Sequence, residues 1–472
     1  MIENHTAETS TGGPDPFPRI QTGNPQADEI LSGGFPKHSI NIVMGQPGTG
    51  KTIFAEQLLF HNAAEPRQSL YLTTLSEPMS KVLSYVQRFD FFDSGRFAED
   101  IHYDDIGAEL AERGPVALIE WLDHAIKTRS PKIIVIDSFR AIHDLAGSGD
   151  DMRRLISRIA GLLSAYDVTA FFLGEYTEAD IRRFPEFAIA DSIVELARHT
   201  QTTRDERFFR VLKLRGSSYR EGQHAFRITK AGIELYPRLV APRIPESYES
   251  LSHRLPTGVP GLDDRMGGGI FAGTTTLIVG MTGAGKTTLA LQFALEGVNH
   301  GDEALYINFQ ENPAQLRRAI AGLGADPDAM QADGLKLLYV SPVELQIDSI
   351  VVQIFAAIKT GSIRRLVIDA LGDLASAASD AQRLHDYLYS LIQHFAARGV
   401  TTVLTLEAGE GFTGLVGLPN ERFSYMSDNL IYLSRRADKP DRRTLRIVKM
   451  RGSAHDAAVR DVEIDAAGLR IQ

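Results

Sequence analysis

Short runs of apolar residues alternate with helical patterns along most of the chain. Residues 40–44 form the first such run, and apolar side chains follow it at helical spacing at Phe54 and Leu58. Later runs occupy residues 132–137 and 365–369. Continuous apolar runs are typical of strands that are buried on both faces of a sheet. We therefore predict an α/β fold in which helices cover both faces of a mainly parallel sheet.

This pattern occurs twice. Residues 19–28 have a counterpart at residues 254–263, and the offset of 235 residues is kept without a gap into the next apolar run. A repeat of this length indicates a duplicated domain rather than one unit of a repeat array. Each copy ends with closely spaced strand patterns, for example at residues 208–214 and 445–450. We therefore expect a β-rich end to each domain.

We divide the 472 residues into four segments. They are a flexible leader at 1–18, an N-terminal domain at 19–237, a linker at 238–253 and a C-terminal domain at 254–472. The leader is rich in Thr, Gly, Pro and Glu and shows no hydrophobic periodicity. Prolines in and beside the linker mark a break between the two domains.

Each copy contains a complete phosphate-binding loop between an apolar run and a helical pattern. The two loops are Gly45-Gln46-Pro47-Gly48-Thr49-Gly50-Lys51-Thr52 and Gly280-Met281-Thr282-Gly283-Ala284-Gly285-Lys286-Thr287. Glycines let backbone N–H groups surround the phosphates at the positive end of the helix. The lysine then reaches the outer phosphates, and the last threonine hydroxyl faces Mg²⁺. One match can be a chance glycine-rich turn, but two in equivalent settings predict ATP and Mg²⁺ as ligands.

Two aspartates fit this chemistry. Asp137 and Asp369 each end a buried apolar strand, where a carboxylate is costly unless a cation compensates it. Mg²⁺ beside the phosphates would compensate the charge, so both are candidate metal ligands. The alternative is that each aspartate caps the helix that follows it.

Two glutamates are candidates for the group that orients or deprotonates the attacking water. Glu77 and Glu311 each follow the strand that we expect to lie beside the phosphate-loop strand. Their alternative role is that of surface glutamates in a loop before a helix.

A basic segment appears late in each copy, as Lys213-Leu214-Arg215 and Lys449-Met450-Arg451. Strand alternation places the two cations of a segment on one face, where they repel each other unless they face an anion. Because each domain has its own phosphate loop far away in the sequence, the basic segment is a candidate to bind the nucleotide of a neighbouring subunit. Solvated charge on an edge strand is the alternative.

Composition limits the classes of function. The formal net charge of −10 gives no general attraction to nucleic acid. There is no cysteine, which excludes disulfides, thiolate nucleophiles and cysteine metal sites. No run is long and apolar enough to span a bilayer, and the N-terminus lacks the pattern of a signal peptide. We expect a cytoplasmic protein without a membrane partner.

From about Arg19 to the C-terminus, the sequence resembles the KaiC family of RecA-like ATPases. The resemblance is carried by the paired phosphate loops, by Lys213-Leu214-Arg215-Gly216 and by Lys449-Met450-Arg451-Gly452-Ser453-Ala454-His455-Asp456. It implies two tandem RecA-like ATPase domains and a homohexamer of two stacked rings, with ATP held between neighbouring subunits. It also implies slow ATP hydrolysis in the N-terminal ring and, in the C-terminal ring, phosphorylation of a Ser and a Thr of the protein's own chain.

The resemblance further implies two sets of nucleotide-binding residues. The phosphate-loop side would supply Gly48, Thr49, Gly50, Lys51, Thr52 and Ile53 in one ring, and Gly283, Ala284, Gly285, Lys286, Thr287 and Thr288 in the other. The adjacent subunit would supply Lys213, Leu214, Arg215, Ser217 and Thr229, and in the second ring Arg443, Lys449, Met450, Arg451, Ser453 and His455. The Mg²⁺ ligands would be Thr52, Asp137, Thr287 and Asp369.

The sequence departs from the family in three places. Where the family has two adjacent glutamates, this sequence has Ser76-Glu77 and Gln310-Glu311. ATP turnover is therefore weak, or the second glutamate of each pair has taken over the catalytic role of the first. A glutamine such as Gln310 can orient a nucleophile but cannot accept its proton. Of the paired Ser and Thr phosphorylation sites, Ser424 remains as phosphoacceptor and Tyr425 follows it. The chain stops at Gln472 without the long tail that a KaiA-type partner grips, so we do not expect that partner.

Three hypotheses follow. The first is an ATP-hydrolysing hexameric signalling protein with autokinase activity at Ser424, for which a KaiB-like protein is a candidate partner. The second is a nucleotide-gated binding module that holds ATP with little turnover and recruits a regulator such as a histidine kinase. ATP-dependent assembly without turnover would distinguish them. The third, a DNA recombinase or helicase, would need a basic channel and is disfavoured by the acidic composition.

Overall fold

The computed structural model describes residues 18–63, 69–74, 79–146, 149–201, 204–242, 251–341, 346–359, 362–376, 381–407, 421–435 and 442–472. The chain divides into two compact units, one ending at Arg238 and one beginning at Leu239. We refer to them as the N-terminal and C-terminal units. Apart from Pro18, the predicted flexible leader lies outside the described residues, as do positions 243–250 of the predicted linker.

The N-terminal unit alternates strands and helices before it ends in strands alone. Its strands are β1 (Arg19–Ile20), β2 (Phe35–Pro36), β3 (Ile40–Met44), β4 (Ser69–Thr73), β5 (Ile101–Asp105), β6 (Ile133–Asp137), β7 (Thr169–Gly174), β8 (Ser192–Gln201), β9 (Arg204–Leu214), β10 (His224–Thr229) and β11 (Gly232–Tyr236). Its helices are α1 (Pro25–Ile30), α2 (Lys51–Asn62), α3 (Met79–Val86), α4 (Ser94–Glu99), α5 (Gly107–Arg113), α6 (Val116–Arg129), α7 (Phe139–Leu145), α8 (Gly149–Ala165), α9 (Glu178–Ile181) and α10 (Glu186–Ile189).

The C-terminal unit repeats this order. Its strands are β12 (Arg254–Leu255), β13 (Ile270–Phe271), β14 (Thr275–Gly280), β15 (Glu303–Asn308), β16 (Leu335–Tyr339), β17 (Ile363–Asp369), β18 (Thr401–Glu407), β19 (Asn429–Arg435), β20 (Arg443–Met450), β21 (Arg460–Asp465) and β22 (Gly468–Ile471). Its helices are α11 (Leu262–Arg265), α12 (Lys286–Asn299), α13 (Pro313–Gly322), α14 (Pro327–Ala332), α15 (Ile347–Lys359), α16 (Leu371–Ser376), α17 (Ala381–Ala397) and α18 (Glu421–Met426). Within the described ranges, no helix combines the length and the apolar character needed to cross a membrane.

Each unit is built on a nine-stranded sheet, and the two sheets have the same strand order. The order is β11-β10-β9-β8-β3-β7-β6-β4-β5 in the N-terminal unit and β22-β21-β20-β19-β14-β18-β17-β15-β16 in the C-terminal unit. The six strands from β8 to β5 pair in parallel, whereas β9, β10 and β11 extend the sheet antiparallel. The predicted parallel sheet and the β-rich end of each domain are both confirmed.

The apolar strands are buried because helices pack on both faces of the sheet. In β3, Ile42 belongs to the core on one face and Val43 to the core on the other, and both are fully buried. In β14, Leu277 and Ile278 are divided in the same way. Successive side chains of a strand point to opposite faces, so a strand without polar alternation can only lie between two layers of helices. Each unit therefore has the two-faced core that its sequence predicts.

The strand order corrects one expectation. The strands beside the phosphate-loop strands β3 and β14 are β7 and β8, and β18 and β19. The strands that precede Glu77 and Glu311 are β4 and β15, which are separated from the phosphate-loop strands by two other strands. The expectation that these glutamates follow a strand next to the phosphate-loop strand is therefore wrong. They follow the strand next to β6 or β17, and β6 and β17 end at Asp137 and Asp369.

Candidate nucleotide sites

The phosphate loops require glycine where the backbone approaches a neighbouring strand. A Cβ atom on Gly45 would lie 2.1 Å from the carbonyl oxygen of Leu196, and one on Gly280 would lie 2.4 Å from that of Leu433. Gly50 and Gly285 precede the helices α2 and α12 with φ of 105°, a conformation that favours glycine. Each loop is thus held close to its sheet and leads directly into a helix N-terminus, as an anion site requires.

The two loop lysines lie across the mouths of their own loops. Lys51 Nζ donates to the carbonyl oxygens of Gly45 and Gln46 at 2.8 and 3.0 Å. Lys286 makes the same two bonds, to the oxygens of the first two residues of its loop. Burial lowers the pKa of both lysines, and nearby carboxylates oppose this effect. Both ammonium groups are therefore placed where a phosphate can replace the loop carbonyls as their partner.

The predicted metal ligands come together in each unit. Thr52 Oγ1 donates to Asp137 Oδ2 at 2.8 Å, and Thr287 Oγ1 donates to Asp369 Oδ2 at 2.8 Å. A hydroxyl and a carboxylate are the hard oxygen ligands that Mg²⁺ prefers. Two residues separated by more than 80 positions thus meet at the carboxyl edge of the sheet, and the donor set fits Mg²⁺ with nucleotide phosphates.

A buried tyrosine fixes each of these aspartates. The Tyr71 hydroxyl donates to Asp137 Oδ2 at 2.7 Å, and the Tyr306 hydroxyl makes the same bond to Asp369. Burial and the adjacent aspartate raise the pKa of both phenols, so each remains a donor. Sequence analysis missed these tyrosines because a strand tyrosine is ordinarily read as part of the core. The signal was its presence at the same offset of 235 as the phosphate loops.

A cavity of about 720 Å³ opens at the phosphate loop of the N-terminal unit. Its lining includes the polar residues Lys51, Thr52 and Asp137 and the aromatic residues Tyr85 and Phe89. Ligand cavities of this size commonly combine a few placed polar groups with apolar side chains. The cavity therefore contains polar groups for phosphates and aromatic side chains for a base.

Sequence analysis also missed a second pair of carboxylates at the loops. Glu175 follows β7 and lines the cavity of the N-terminal unit, where its charge raises the pKa of Lys51. Glu407 ends β18, accepts a hydrogen bond from Thr282 and raises the pKa of Lys286. These are the carboxylates that follow a strand beside the phosphate-loop strand, the position that we had assigned to Glu77 and Glu311.

The catalytic candidates of the two units are placed differently. Glu77 lies outside the described residues. In the C-terminal unit, the Gln310 amide donates to both carboxylate oxygens of Asp373 at 3.2 and 3.0 Å. Glu311 is partly buried, and burial together with the negative charge of Asp369 raises its pKa. Glu311 therefore interacts electrostatically with the candidate Mg²⁺ ligand, whereas the Gln310 side chain binds Asp373.

The basic segments lie at the edge of the sheet opposite to the phosphate loop of their own unit. The backbone amide of Arg215 donates to the carbonyl oxygen of Asp191. The backbone amide of Asp191 donates in turn to the carbonyl oxygen of Ile40, the first residue of β3. Arg451 is linked in the same way through Asp428 to Thr275, the first residue of β14. The phosphate loops follow the last residues of these strands. The structure therefore does not bring the basic segments to the nucleotide site of their own unit.

In the C-terminal unit the basic segment binds the helix that contains Ser424. Lys449 Nζ donates to the carbonyl oxygens of Ser424 and Ser427 at 2.9 and 2.7 Å, and Arg451 donates to that of Tyr425 at 3.0 Å. Cations near carbonyls at a helix C-terminus satisfy those acceptors and favour the helix dipole. The predicted phosphoacceptor and the basic segment are thus in direct contact.

Other predicted members of the adjacent-subunit set lie elsewhere. Arg443 begins β20, and its Nε donates to Gly283 O of its own phosphate loop at 3.2 Å. Arg443 and Lys449 are six positions apart along the strand, or about 20 Å, so one phosphate group cannot contact both. In the N-terminal unit, Thr229 is the last residue of β10, and its hydroxyl donates to Glu234. The preceding residue, Ile228, lies close to Gly50 of the phosphate loop.

The turns after the basic segments are attached to the first strand of each unit. Arg19 donates to the Ser217 hydroxyl and Arg254 to that of Ser453, so both predicted ligands have a partner within their own unit. The intervening Leu214 and Met450 side chains are buried, and His455 lies between β20 and β21. Ile53 and Thr288 occupy the first turns of α2 and α12, while Thr49 and Ala284 are buried within the loops.

The phosphate-loop helix of the N-terminal unit contains a buried carboxyl group that has no counterpart in the C-terminal unit. Glu56 is fully buried in α2 and accepts a hydrogen bond of 2.7 Å from Tyr103. Burial raises the pKa of Glu56 to about 8. The matching positions in α12 and β16 are Leu291 and Leu337, so an apolar pair replaces the polar one.

Replacing Glu56 by glutamine is expected to change how the stability of the N-terminal unit depends on pH. The folded unit retains a proton that the unfolded chain releases above its ordinary pKa near 4.5. The free energy of unfolding therefore falls as pH rises toward about 8, by up to about 1.4 kcal/mol per pH unit. Urea unfolding of wild type and Glu56→Gln between about pH 5 and pH 8 measures the difference. A difference that stays constant over this range would contradict the prediction.

Comparison with known proteins agrees with the repeated architecture. A family model described as "ATPase: KaiC" matches residues 20–240 and 255–472. Proteins named circadian clock oscillator protein KaiC are similar over nearly the whole chain. That of Picosynechococcus sp. is 29% identical, covering 99% of this chain and 92% of the relative. That of Rippkaea orientalis is 30% identical, covering 96% and 88%, and that of Parathermosynechococcus lividus is 28% identical, covering 100% and 88%.

Proposed function

Because this chain belongs to the KaiC family of ATPases, we propose that it is a hexameric signalling protein that binds and hydrolyses ATP. We further propose that its C-terminal unit transfers phosphate to Ser424. The observation that carries the first part is the repeated site in which a loop lysine, a loop threonine and a strand-end aspartate converge. Such a site binds triphosphate through the lysine and backbone N–H groups.

The protein's own groups have separable roles in this proposal. Lys51 and Lys286 bind the outer phosphates, while Thr52 with Asp137 and Thr287 with Asp369 would hold Mg²⁺. When bound, Mg²⁺ neutralises charge on the phosphate oxygens. The tyrosine bonded to each aspartate holds that carboxylate in one orientation.

Assembly into a ring is supported by the position of the basic segments. They lie at the edge of the sheet away from their own phosphate loop, so their cations are available to a nucleotide held by another subunit. A nucleotide bound across an interface stabilises the assembly by mass action. We therefore expect ATP to increase the fraction of hexamer, which light scattering can measure with and without nucleotide.

Autophosphorylation is supported by the contact between Lys449 and the Ser424 helix. If Lys449 and Arg451 contact a neighbour's triphosphate, Ser424 would lie close to that triphosphate, because Lys449 binds the backbone carbonyl of Ser424. Its hydroxyl would attack the γ-phosphorus, with loss of ADP and transfer of the hydroxyl proton to a carboxylate.

The experiment is to incubate the purified protein with γ-labelled ATP and Mg²⁺ and to follow ADP release and label on the chain. The Lys51→Ala, Lys286→Ala double variant is the control for turnover, and Ser424→Ala is the control for the acceptor. ADP release above the double variant supports hydrolysis, and label lost in Ser424→Ala supports the kinase activity. Equal ADP release by wild type and double variant would refute the enzymatic proposal.

The second candidate is a nucleotide-gated binding module. The replacement of the family's first glutamates by Ser76 and Gln310 favours it, because a glutamine cannot accept a proton. It predicts ATP-dependent assembly without ADP release. In either case we propose a cytoplasmic protein whose partner is a KaiB-like protein or a histidine-kinase-type regulator, and not nucleic acid.

A further inference from the structure

Asn308 organises the turn that contains Glu311. It is the last residue of β15 and is almost completely buried. Its side-chain oxygen accepts hydrogen bonds from the amides of Gln310 and Glu311 at 2.8 and 2.9 Å. Its side-chain nitrogen donates to Glu311 Oε2 at 3.3 Å. One buried amide therefore fixes both the backbone of the turn and the carboxylate that the turn presents.

The turn lies beside the candidate metal ligand. Asn308 pairs with Asp369 in the register of β15 and β17. The charge of Asp369 raises the pKa of Glu311, and the charge of Glu311 raises that of Tyr306, whose hydroxyl donates to Asp369. Gln310 is bound to Asp373, so the carboxylate fixed by Asn308 is the basic group that the turn presents to the phosphate end of the site.

The N-terminal unit lacks this asparagine. Thr73 pairs with Asp137 as Asn308 pairs with Asp369, so a threonine stands at the matching strand position. Ser76 and Glu77, the counterparts that the sequence offers for Gln310 and Glu311, lie outside the described residues.

We propose that Asn308 is a positioning residue that holds Glu311 as the water-activating carboxylate of the C-terminal unit. This inference rests on the proposed function. Water attacks the γ-phosphorus, the bond from that phosphorus to the bridging oxygen breaks, and ADP leaves with the electron pair. The proton of the water passes to Glu311. Asn308 exchanges no proton and acts only through the orientation of Glu311.

The test uses the full chain with Lys51→Ala, so that only the C-terminal site turns over. Glu311→Gln removes the base and is expected to lower kcat about 100-fold with KM unchanged. Asn308→Asp retains an oxygen acceptor for the two turn amides but replaces the donor to Glu311 by a negative charge. It is expected to lower kcat about 10-fold and to move the acid limb of the kcat profile to higher pH, because a second carboxylate raises the pKa of Glu311.

Asn308→Ala removes both the acceptor for the turn amides and the donor to Glu311. Nucleotide binding and thermal unfolding are measured for every variant to show that it is folded. A purely structural Asn308 would give lower stability with an unchanged pH profile in Asn308→Asp, and that result would overturn the proposal. So would a kcat of Glu311→Gln within about twofold of its parent. If wild type releases no more ADP than the Lys51→Ala, Lys286→Ala variant, the proposed function itself fails and this inference fails with it.

Discussion

The Lys51→Ala, Lys286→Ala double variant is expected to lower ADP release by the whole protein at least about 100-fold, and each single variant is expected to lower it by less. Both changes remove the cation of a phosphate loop, so they are matched in chemistry. Each single variant leaves the other phosphate loop with its lysine, so ADP release falls only in part. The measurement is steady-state ADP release at saturating ATP and Mg²⁺.

Nucleotide binding provides the control for this pair. Each single variant is expected to retain one of two nucleotide sites per chain, because the loops are far apart in sequence and belong to separate compact units. Labelled ATP bound per chain, counted by equilibrium dialysis, checks this. If the double variant released ADP at the rate of the wild type, neither loop lysine would contribute to hydrolysis and the prediction would be contradicted.

Arg365→Ile is expected to lower the free energy of unfolding of the C-terminal unit by about 3–5 kcal/mol. Arg365 is completely buried in β17. Its guanidinium donates to Asp302 at 3.0 Å and to the carbonyl oxygens of Pro256 and Phe293 at 2.7 and 3.0 Å. Isoleucine would leave these acceptors without their partner, and unpaired buried polar groups are costly. Urea unfolding monitored on the full chain measures the loss.

The N-terminal unit supplies the matched control. Ile133 occupies the position in β6 that Arg365 occupies in β17. Gln21 occupies the position of Pro256, and its carbonyl oxygen accepts a hydrogen bond of 2.7 Å from the Asn62 side chain. The C-terminal unit has Gly297 in place of Asn62, because a Cβ there would lie 2.3 Å from Arg365. Arg365→Ile with Gly297→Asn should therefore be more stable than Arg365→Ile alone.

A surface ion pair sets the scale for this comparison. Arg317 binds the exposed Asp328, and Arg317→Met is expected to cost less than about 1 kcal/mol. A loss from Arg365→Ile as small as that from Arg317→Met would contradict the assignment of Arg365 as a structural anchor. If Gly297→Asn does not raise the free energy of unfolding of Arg365→Ile, this would contradict the inference that Asn62 in the N-terminal unit and Arg365 in the C-terminal unit satisfy equivalent carbonyl groups.

Much of the fold followed from the sequence because the signals were local. The run at residues 40–44 is β3 as observed, and the predicted strand at 445–450 lies within β20. Long apolar runs predict buried strands because only a two-faced core can cover them. Strands such as β5, with partly polar residues Tyr103 and Asp104, gave no such signal and were not predicted.

The site was predictable only where one motif contained it. The phosphate loops and the strand-end aspartates could be named from local sequence, and the structure brings Thr52 to Asp137 as this chemistry requires. The position of Glu311 could not be derived, because it depends on the order of strands that are distant in sequence. Glu175 was missed for the same reason.

The sequence alone determined that this protein has two copies of an α/β nucleotide-binding domain, since loop chemistry and apolar periodicity are properties of short segments. Only the tertiary structure decided which carboxylate faces each loop, that the basic segments turn away from their own nucleotide, and that Asn308 fixes Glu311. Those relations depend on strand order and register, which bring together residues that no short stretch of sequence contains.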